Sequence, residues 1–568
     1  MMEREDTDKK FCGILFDVLE DKGVRDVVCS PGSRNAPLLI AAASRDGLRK
    51  HVVVDERSAA FMALGIAMVS RRPVAIVCTS GTALLNYGPA VAEAFYQSLP
   101  IVVISADRPQ QWIDQDDSQT LRQFEAFSNF VKKSYELPAY GDGEVELQWY
   151  ANRIANDAMI EATSRRPGPV HINVRLGEPL SGKRVCSHQP QRIIGMLASD
   201  MVADRMKVKA LGEVVAESRV MFVAGFMPPD SRLQKAVTEF CSLPNVVAMT
   251  ETLSNLHIKG HSCDIDAVLT AYPEETLDSL APDLVITVGG SLVSRKLKEY
   301  LRRNSDICSH WSLGWHHTTS DCFQSLSMRI EADPARMLRG LHHAAAGHVS
   351  EDTSSYSCQW TVAREKAAAA KSAYVASVGW SELRAFDMIL GGLPAACNLF
   401  LSNGTTVRYA QLLGSRLPHA SYCNRGVSGI DGCSSTAVGC AKAYNGMTVL
   451  ITGDMSMAYD LGALALPDIP DTMRIIVIDN RGGGIFRFIP TTSSLPEREE
   501  YFCACPTLPV DLLAQAYGWD YLEAHDAEGL RKALRELFVR GRRKILRVVC
   551  DGEESAAILK GYMAVRAE

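Results

Sequence analysis

The sequence predicts an α/β protein built from three doubly wound domains with parallel sheets. Short apolar, β-branched runs alternate with longer helix-like segments along the whole chain. Many of those runs end in Ser, Thr, Asp, Asn or Gly, the residues expected where parallel strands release the chain into loops at one sheet edge. At 568 residues the chain is also too long for a single hydrophobic core.

The first domain, 1–185, takes its strands from DVVCS, HVVVD, VAIVCTS, IVVISAD and VHINV, with helical segments such as ERSAAFMALGIAMVSRR between them. The polar stretch from Ser181 to Arg192 reads as a linker. A middle α/β domain, 193–345, follows on MFVAG, NVVAM and LVITVGG, and contains the pair His316-His317 near Trp311 and Trp315, read as structural. AAAGHVSEDTSSYS, ending near Ser357, reads as a second linker. The third domain, 370–568, takes strands from NLFLSN, MTVLITGD, MRIIVIDN and ILRVVC. No short-period repeat or heptad pattern interrupts this order.

The segment 56–70 is apolar or small almost all round, with Ala59, Ala60, Ala63, Gly65 and Ala67 among Phe61, Met62, Leu64 and Ile66. Such a helix is buried, and its small residues permit a close crossing. It is either an internal core helix or a subunit interface.

Bulk properties exclude several classes. A net charge of −6 and a pI near 6.2 argue against nucleic acid as a partner. No apolar run approaches the length of a membrane span, and the first ten residues are charged. Sixteen scattered cysteines without a zinc pattern suggest buried thiols in a reducing compartment, hence the cytoplasm.

Chemistry concentrates at strand ends. Gly453-Asp454-Met455-Ser456 follows MTVLIT, and Asn480-Arg481-Gly482 follows MRIIVID, 26 residues from Asp454 to Asn480. That interval is one strand–helix–strand unit, so both turns emerge at the same edge. A carboxylate, an amide oxygen and a glycine-rich backbone there make a hard oxygen site for Mg²⁺ carrying a diphosphate. Glu56 opens the apolar helix, where it is either an ordinary first-turn acid or a poorly solvated functional one. Ser33 and Arg34 in SPGSRN, Ser80, Gly81 and Thr82 in TSGT, and Arg108 in ADRP sit in loops expected to line one crevice, with Gln119 in a polar segment beside it. Arg408 and Arg425 bring the loop arginines to four, which points to a substrate with several carboxylates. No G-x-S-x-G elbow is present, and no G-x-G-x-x-G opens a helix after a strand.

The Gly453-Asp454…Asn480 spacing resembles the metal and diphosphate motif of the thiamine diphosphate enzymes. SPGSRNAPL, DERSAAFMALGIA, TSGTALLN, SADRP, NRGVSGIDG, GDMSMAYDLGAL and NRGGGIFRFIP are similar to the signatures of one branch, the 2-succinyl-5-enolpyruvyl-6-hydroxy-3-cyclohexene-1-carboxylate synthase family of menaquinone biosynthesis. The resemblance implies a pyrimidine-binding, a middle and a diphosphate-binding domain. It also implies decarboxylation of 2-oxoglutarate and addition of the resulting succinyl carbanion to isochorismate.

It assigns Glu56 to the cofactor's aminopyrimidine ring. Asp454, Asn480 and the Gly482 carbonyl become ligands of Mg²⁺ or Mn²⁺. Ser80, Gly81, Thr82, Ile430, Gly453, Met455, Ser456, Ile485 and Phe486 become cofactor contacts. Ser33, Arg34, Arg108, Gln119, Arg408 and Arg425 become substrate contacts, with Arg295-Lys296 a further basic pair. Asn403-Gly404 stands where many relatives have Asn-Ser. The family implies a homodimer or homotetramer that shares its site between chains, and no membrane insertion.

Overall fold

The computed structural model describes residues 3–140, 144–187, 190–197, 203–260, 264–315, 319–414 and 420–567. The pair His316-His317 lies outside them. The α/β class holds: three sheets of parallel strand pairs are flanked by helices. Their inner strands are mostly near-continuous apolar runs because helices cover both faces.

In the N-terminal sheet the order is Arg49–Val52, Asp26–Cys29, Val74–Cys78, Ile101–Asp107, Val170–Arg175, Ser134–Leu137, all parallel. Val27, Val77, Ile104 and Ile172 share one face with Phe11, Leu15 and Phe16 of the helix Lys10–Asp21 and Ile154 and Ala158 of Glu144–Thr163. The alternate residues Val28, Ile76 and Val103 are equally buried, and the helix Glu56–Ser70 packs on strands of this sheet. A five-stranded parallel sheet, Val246–Thr250, Val220–Ala224, Leu284–Val288, Ser309–Leu313 and Leu326–Ile330, follows the same plan. The third sheet runs Ala420–Tyr422, Cys397–Leu401, Met447–Gly453, Met473–Asp479, Lys544–Val549, Asp520–Ala524. The chain packs into two compact units, one of residues 1–198, 424–448 and 459–473, the other of 199–423, 449–458 and 474–568.

The expected linker Ser181–Arg192 is corrected in part. Lys183–Ser187 is a strand that pairs antiparallel with Glu3–Thr7. Its described side chains are exposed or partly so, and its mixed composition, KRVCS, leaves no apolar run to mark it.

Glu56–Ser70 begins at Asp55, whose carboxylate accepts from the backbone N–H groups of Arg57 and Ser58, and ends at Arg71 in the left-handed region. Every residue from Ser58 to Met68 is buried. Its small residues admit the helix Cys433–Lys442. A Cβ on Gly65 would stand 1.9 Å from the Thr436 carbonyl oxygen, and one on Gly439 would stand 2.0 Å from that of Met62. Within this chain the helix is internal, since residues of the same chain cover it. Every cysteine among the described residues is free and most are buried. No helix among them is long and apolar enough to cross a membrane.

Candidate active site

The strands Met447–Gly453 and Met473–Asp479 are neighbours in the third sheet, and the chain turns at their ends into Asp454 and Asn480. Asp454 is buried; one carboxylate oxygen accepts the Met455 N–H at 2.7 Å and the other accepts the Gly482 N–H at 2.7 Å. Burial pushes its pKa up to about 7, against the pull of those two hydrogen bonds. Gly482 has φ +115°, and a Cβ there would meet the Cys503 carbonyl oxygen at 2.3 Å, so only glycine makes this turn.

Asn480 is buried, donates from Nδ2 to Glu382 Oε1 at 2.7 Å, and leaves its Oδ1 without a hydrogen-bond partner among the described residues. A buried amide oxygen is seldom left so. Arg487 holds the turn's backbone, donating to the carbonyls of Asn480 and Arg481 at 2.9 Å each. Asp479 faces Arg547 instead, at 2.8 Å, so Asn480 supplies the side chain at this turn. The Gly482 carbonyl accepts from Gly484 N–H at 2.9 Å and keeps a second lone pair.

This donor set of carboxylate, amide oxygen and carbonyl fits a hard dication that also takes diphosphate oxygens. Among the described residues no cluster of three His, Cys, Asp or Glu side chains offers an alternative metal centre. Ile485 and Phe486 follow on the same loop, half-buried, with the Phe486 ring 5.8 Å from that of Phe502.

The remaining predicted residues fall mainly in the first unit. The SPGSRN and TSGT loops meet there, since a Cβ on Gly32 would stand 2.3 Å from Cβ of Thr79. Gly81, at φ +88°, approaches Gln119, whose Cα lies 3.4 Å from where a Gly81 Cβ would be. Arg34 donates to the Leu176 carbonyl and pairs with Glu178 at 3.1 Å, while Ser33 is exposed. Arg108 folds back on its own loop, pairing with Asp117 at 2.8 Å and donating to the Ser118 carbonyl. Arg425 and Ile430 are half-buried in the loop before Cys433–Lys442. Glu56 is half-buried, and its carboxylate makes no hydrogen bond or ion pair among the described residues. Its charge nonetheless adds to burial in raising the pKa of Cys78 and Tyr87.

Arg408 belongs to the second unit, on the helix Thr405–Leu413. There burial pushes the Asp266 carboxyl up, opposed by the Ser294 hydroxyl and then by the Arg408 charge. Arg295 and Lys296 both pair with Glu299. Gly404 has φ +95° as the residue before that helix, a conformation that disfavours a serine at this place.

Three supporting residues escape a reading of the sequence. Glu382 is one, described above. Glu93 is another: buried, it accepts the N–H groups of Gly426 and Val427 at 2.6 and 2.7 Å and so clamps the loop of Arg425. A single acid inside the apolar helix Gly88–Gln97 was its only signal. The third, Gln123, accepts from Gly81 N–H at 2.8 Å and donates to the Ala106 carbonyl and to Asn173 Oδ1.

The Gln123 network reaches His171, which is fully buried on Val170–Arg175. Ser105 donates its hydroxyl proton to Asn173 Oδ1 at 2.8 Å, so it can only accept from His171 Nε2 at 2.8 Å. That fixes the Nε2–H tautomer and leaves Nδ1 without a hydrogen-bond partner among the described residues. Burial lowers the His171 pKa to about 4. Below its ordinary value of 6.5, the unfolded chain binds a proton that the folded residue refuses until about pH 4. Stability therefore falls as pH drops through that window, by about 2 kcal/mol from this residue between pH 7.5 and 5. His171→Gln is expected to flatten that acid limb in urea denaturation, and an unchanged slope would refute the assignment.

Residues 10–126 match the family model described as "Thiamine pyrophosphate enzyme, N-terminal TPP binding domain". The chain is 41% identical to the 2-succinyl-5-enolpyruvyl-6-hydroxy-3-cyclohexene-1-carboxylate synthase of Porphyromonas gingivalis, over 99% of this chain and 98% of the relative. It belongs to that synthase family. Synthases of the same name from Flavobacterium johnsoniae and Bacteroides thetaiotaomicron are each 35% identical, with 96% and 98% of this chain covered and 97% and 98% of theirs. The family bond is thus full-length and extends beyond the N-terminal domain that the family model spans.

Proposed function

We propose that the chain uses thiamine diphosphate to decarboxylate 2-oxoglutarate and join the remaining four-carbon unit to isochorismate, releasing CO₂, in menaquinone biosynthesis. The observation that carries this reading is the buried, unpartnered Oδ1 of Asn480 in the turn anchored by Asp454. Asp454, Asn480 and the Gly482 carbonyl hold Mg²⁺ or Mn²⁺, and Gly453, Met455, Ser456, Ile485 and Phe486 flank the cofactor. Glu56, with Ser80, Gly81, Thr82 and Ile430, serves its pyrimidine end. When bound, thiamine diphosphate supplies the electron sink for the carbanion chemistry.

The chain's own share is orientation, exclusion of water and proton handling at Glu56. Arg34 and Arg108 already hold carboxylates of their own chain, Glu178 and Asp117, which is the recognition a dicarboxylate substrate needs. Ser33, Gln119, Arg408 and Arg425 complete the substrate contacts. The family implies that one copy gives the Glu56 half and another the Asp454 half, in a homodimer or homotetramer. The domain limits follow the family's order: 1–185 pyrimidine-binding, 193–345 middle, 370–568 diphosphate-binding. The cytoplasm is the expected compartment.

A coupled assay decides between this and a pyruvate carboligase of the acetolactate synthase type, which would share Glu56 and the metal turn without needing the arginines. CO₂ release from 2-oxoglutarate and isochorismate, dependent on thiamine diphosphate, is the expected result. Release from pyruvate alone would overturn the substrate assignment.

A further inference from the structure

We infer that Glu382 is a positioning residue that sets the orientation of the metal ligand Asn480, an inference that rests on the metal-site reading above. Glu382 opens the helix Glu382–Gly392, which is capped by the Ser381 hydroxyl on Arg384 N–H. An acid in a first turn is ordinarily exposed and stabilised by the helix dipole. This one is 2% exposed and is turned inward. Its own N–H donates to the Ser555 hydroxyl at 3.0 Å, Oε1 accepts from Asn480 Nδ2 at 2.7 Å, and Oε2 accepts from the Thr405 hydroxyl at 3.4 Å.

An asparagine amide can present either its oxygen or its NH₂ to a given direction. A carboxylate can only accept, so opposite Glu382 the amide must show Nδ2. Oδ1 is thereby sent the other way, into the position where it is buried and unpartnered. The reversed amide would offer N–H groups to a cation and an oxygen to a carboxylate, both repulsive. Gly484 leaves the pair its room: a Cβ there would stand 2.2 Å from Asn480 Nδ2 and 3.4 Å from Glu382 Oε1. Arg487 fixes the backbone of the turn and Glu382 fixes its side chain. Glu382 does not touch the metal in this scheme; it acts through Asn480, as outer-shell partners of metal ligands do.

Mn²⁺ binding to the full chain in the presence of thiamine diphosphate, followed by electron paramagnetic resonance, tests the inference. Glu382→Leu removes the acceptor and is expected to weaken Mn²⁺ by about tenfold to a hundredfold. Turnover at saturating Mn²⁺ is expected to return towards the wild-type value, a rescue that a folding defect would not give. Wild-type Mn²⁺ affinity in Glu382→Leu would overturn the inference.

A reversed pair keeps the test open if the leucine variant does not fold. Asn480→Asp sets two carboxylates against each other, whereas Glu382→Gln combined with Asn480→Asp restores a donor–acceptor pair of opposite polarity. The double variant is expected to bind Mn²⁺ at least tenfold more tightly than Asn480→Asp alone, a coupling between neighbours. Equal affinities would refute the inference. Failure of the wild-type chain to bind Mn²⁺ at all would instead remove the metal-site reading on which it stands.

Discussion

Glu56→Gln lowers kcat by about a hundredfold to ten-thousandfold while changing thiamine diphosphate affinity by no more than about threefold. Glu56 stands at the first position of Glu56–Ser70, but Asp55 already caps that helix, so Glu56 is not required there. It makes no hydrogen bond or ion pair among the described residues, although it sits half-buried beside Cys78 and Tyr87. Loss of its favourable place at the helix N-terminus is worth only about 0.3 to 1 kcal/mol. A glutamine of the same size keeps the packing, yet its neutral amide cannot exchange a proton as the carboxylate does. Steady-state assays with 2-oxoglutarate and isochorismate measure kcat, and quenching of intrinsic tryptophan fluorescence measures cofactor affinity. Near-normal turnover would take Glu56 out of the mechanism.

The strands legible in the sequence are those buried on both faces. VAIVC, IVVIS, MFVAG, LVITV and MRIIVID each lie inside a sheet and read as unbroken apolar runs. The strands that escape such a reading sit mostly at sheet edges. Ser134–Leu137, Leu326–Ile330, Ala420–Tyr422 and Asp520–Ala524 are all terminal in their sheets. An edge strand is half-covered, and several of these side chains stay partly exposed, so their polar residues break the pattern. Lys183–Ser187 is the extreme case, a ribbon strand with no core face to announce it.

The site divides along a similar line. Turn residues such as Asp454, Asn480 and Gly482 are legible because their chemistry contrasts with the strands that deliver them. The residues that hold them are not. Glu382 looks in sequence like any first-turn acid after a capping serine, and Gln123 like any polar loop residue. What distinguishes them is burial and the partner each faces, Asn480 in one case and the Gly81 backbone in the other. Both partners are distant in sequence, so only the fold brings the pairs together. The helix 56–70 shows the converse: its composition reveals a close crossing, while its partner, Cys433–Lys442, lies more than 350 residues further on.

Asp454→Asn is expected to weaken Mg²⁺-dependent thiamine diphosphate binding by a hundredfold or more, since removing one partner of a buried charged contact costs about 3 to 5 kcal/mol. The apo protein should behave differently from the loaded one, and that contrast makes the prediction specific. Without metal, the Asp454 carboxylate is a buried charge disfavoured by its surroundings, with Asp479 and Glu382 adding like charge. The neutral amide relieves that repulsion and gives up one of the two backbone hydrogen bonds, from Met455 or Gly482. These effects oppose each other, so the apo melting temperatures of the two proteins should lie close together. With Mg²⁺ and cofactor at about a hundred times the dissociation constant, the wild type gains about 2.7 kcal/mol by linkage, a rise of roughly 2 to 4 °C. The variant should show no such rise at the same concentrations. Thermal scans with and without Mg²⁺ and thiamine diphosphate read all four values. An equal ligand-induced rise in both proteins would mean that Asp454 anchors the Gly482 turn without holding the metal.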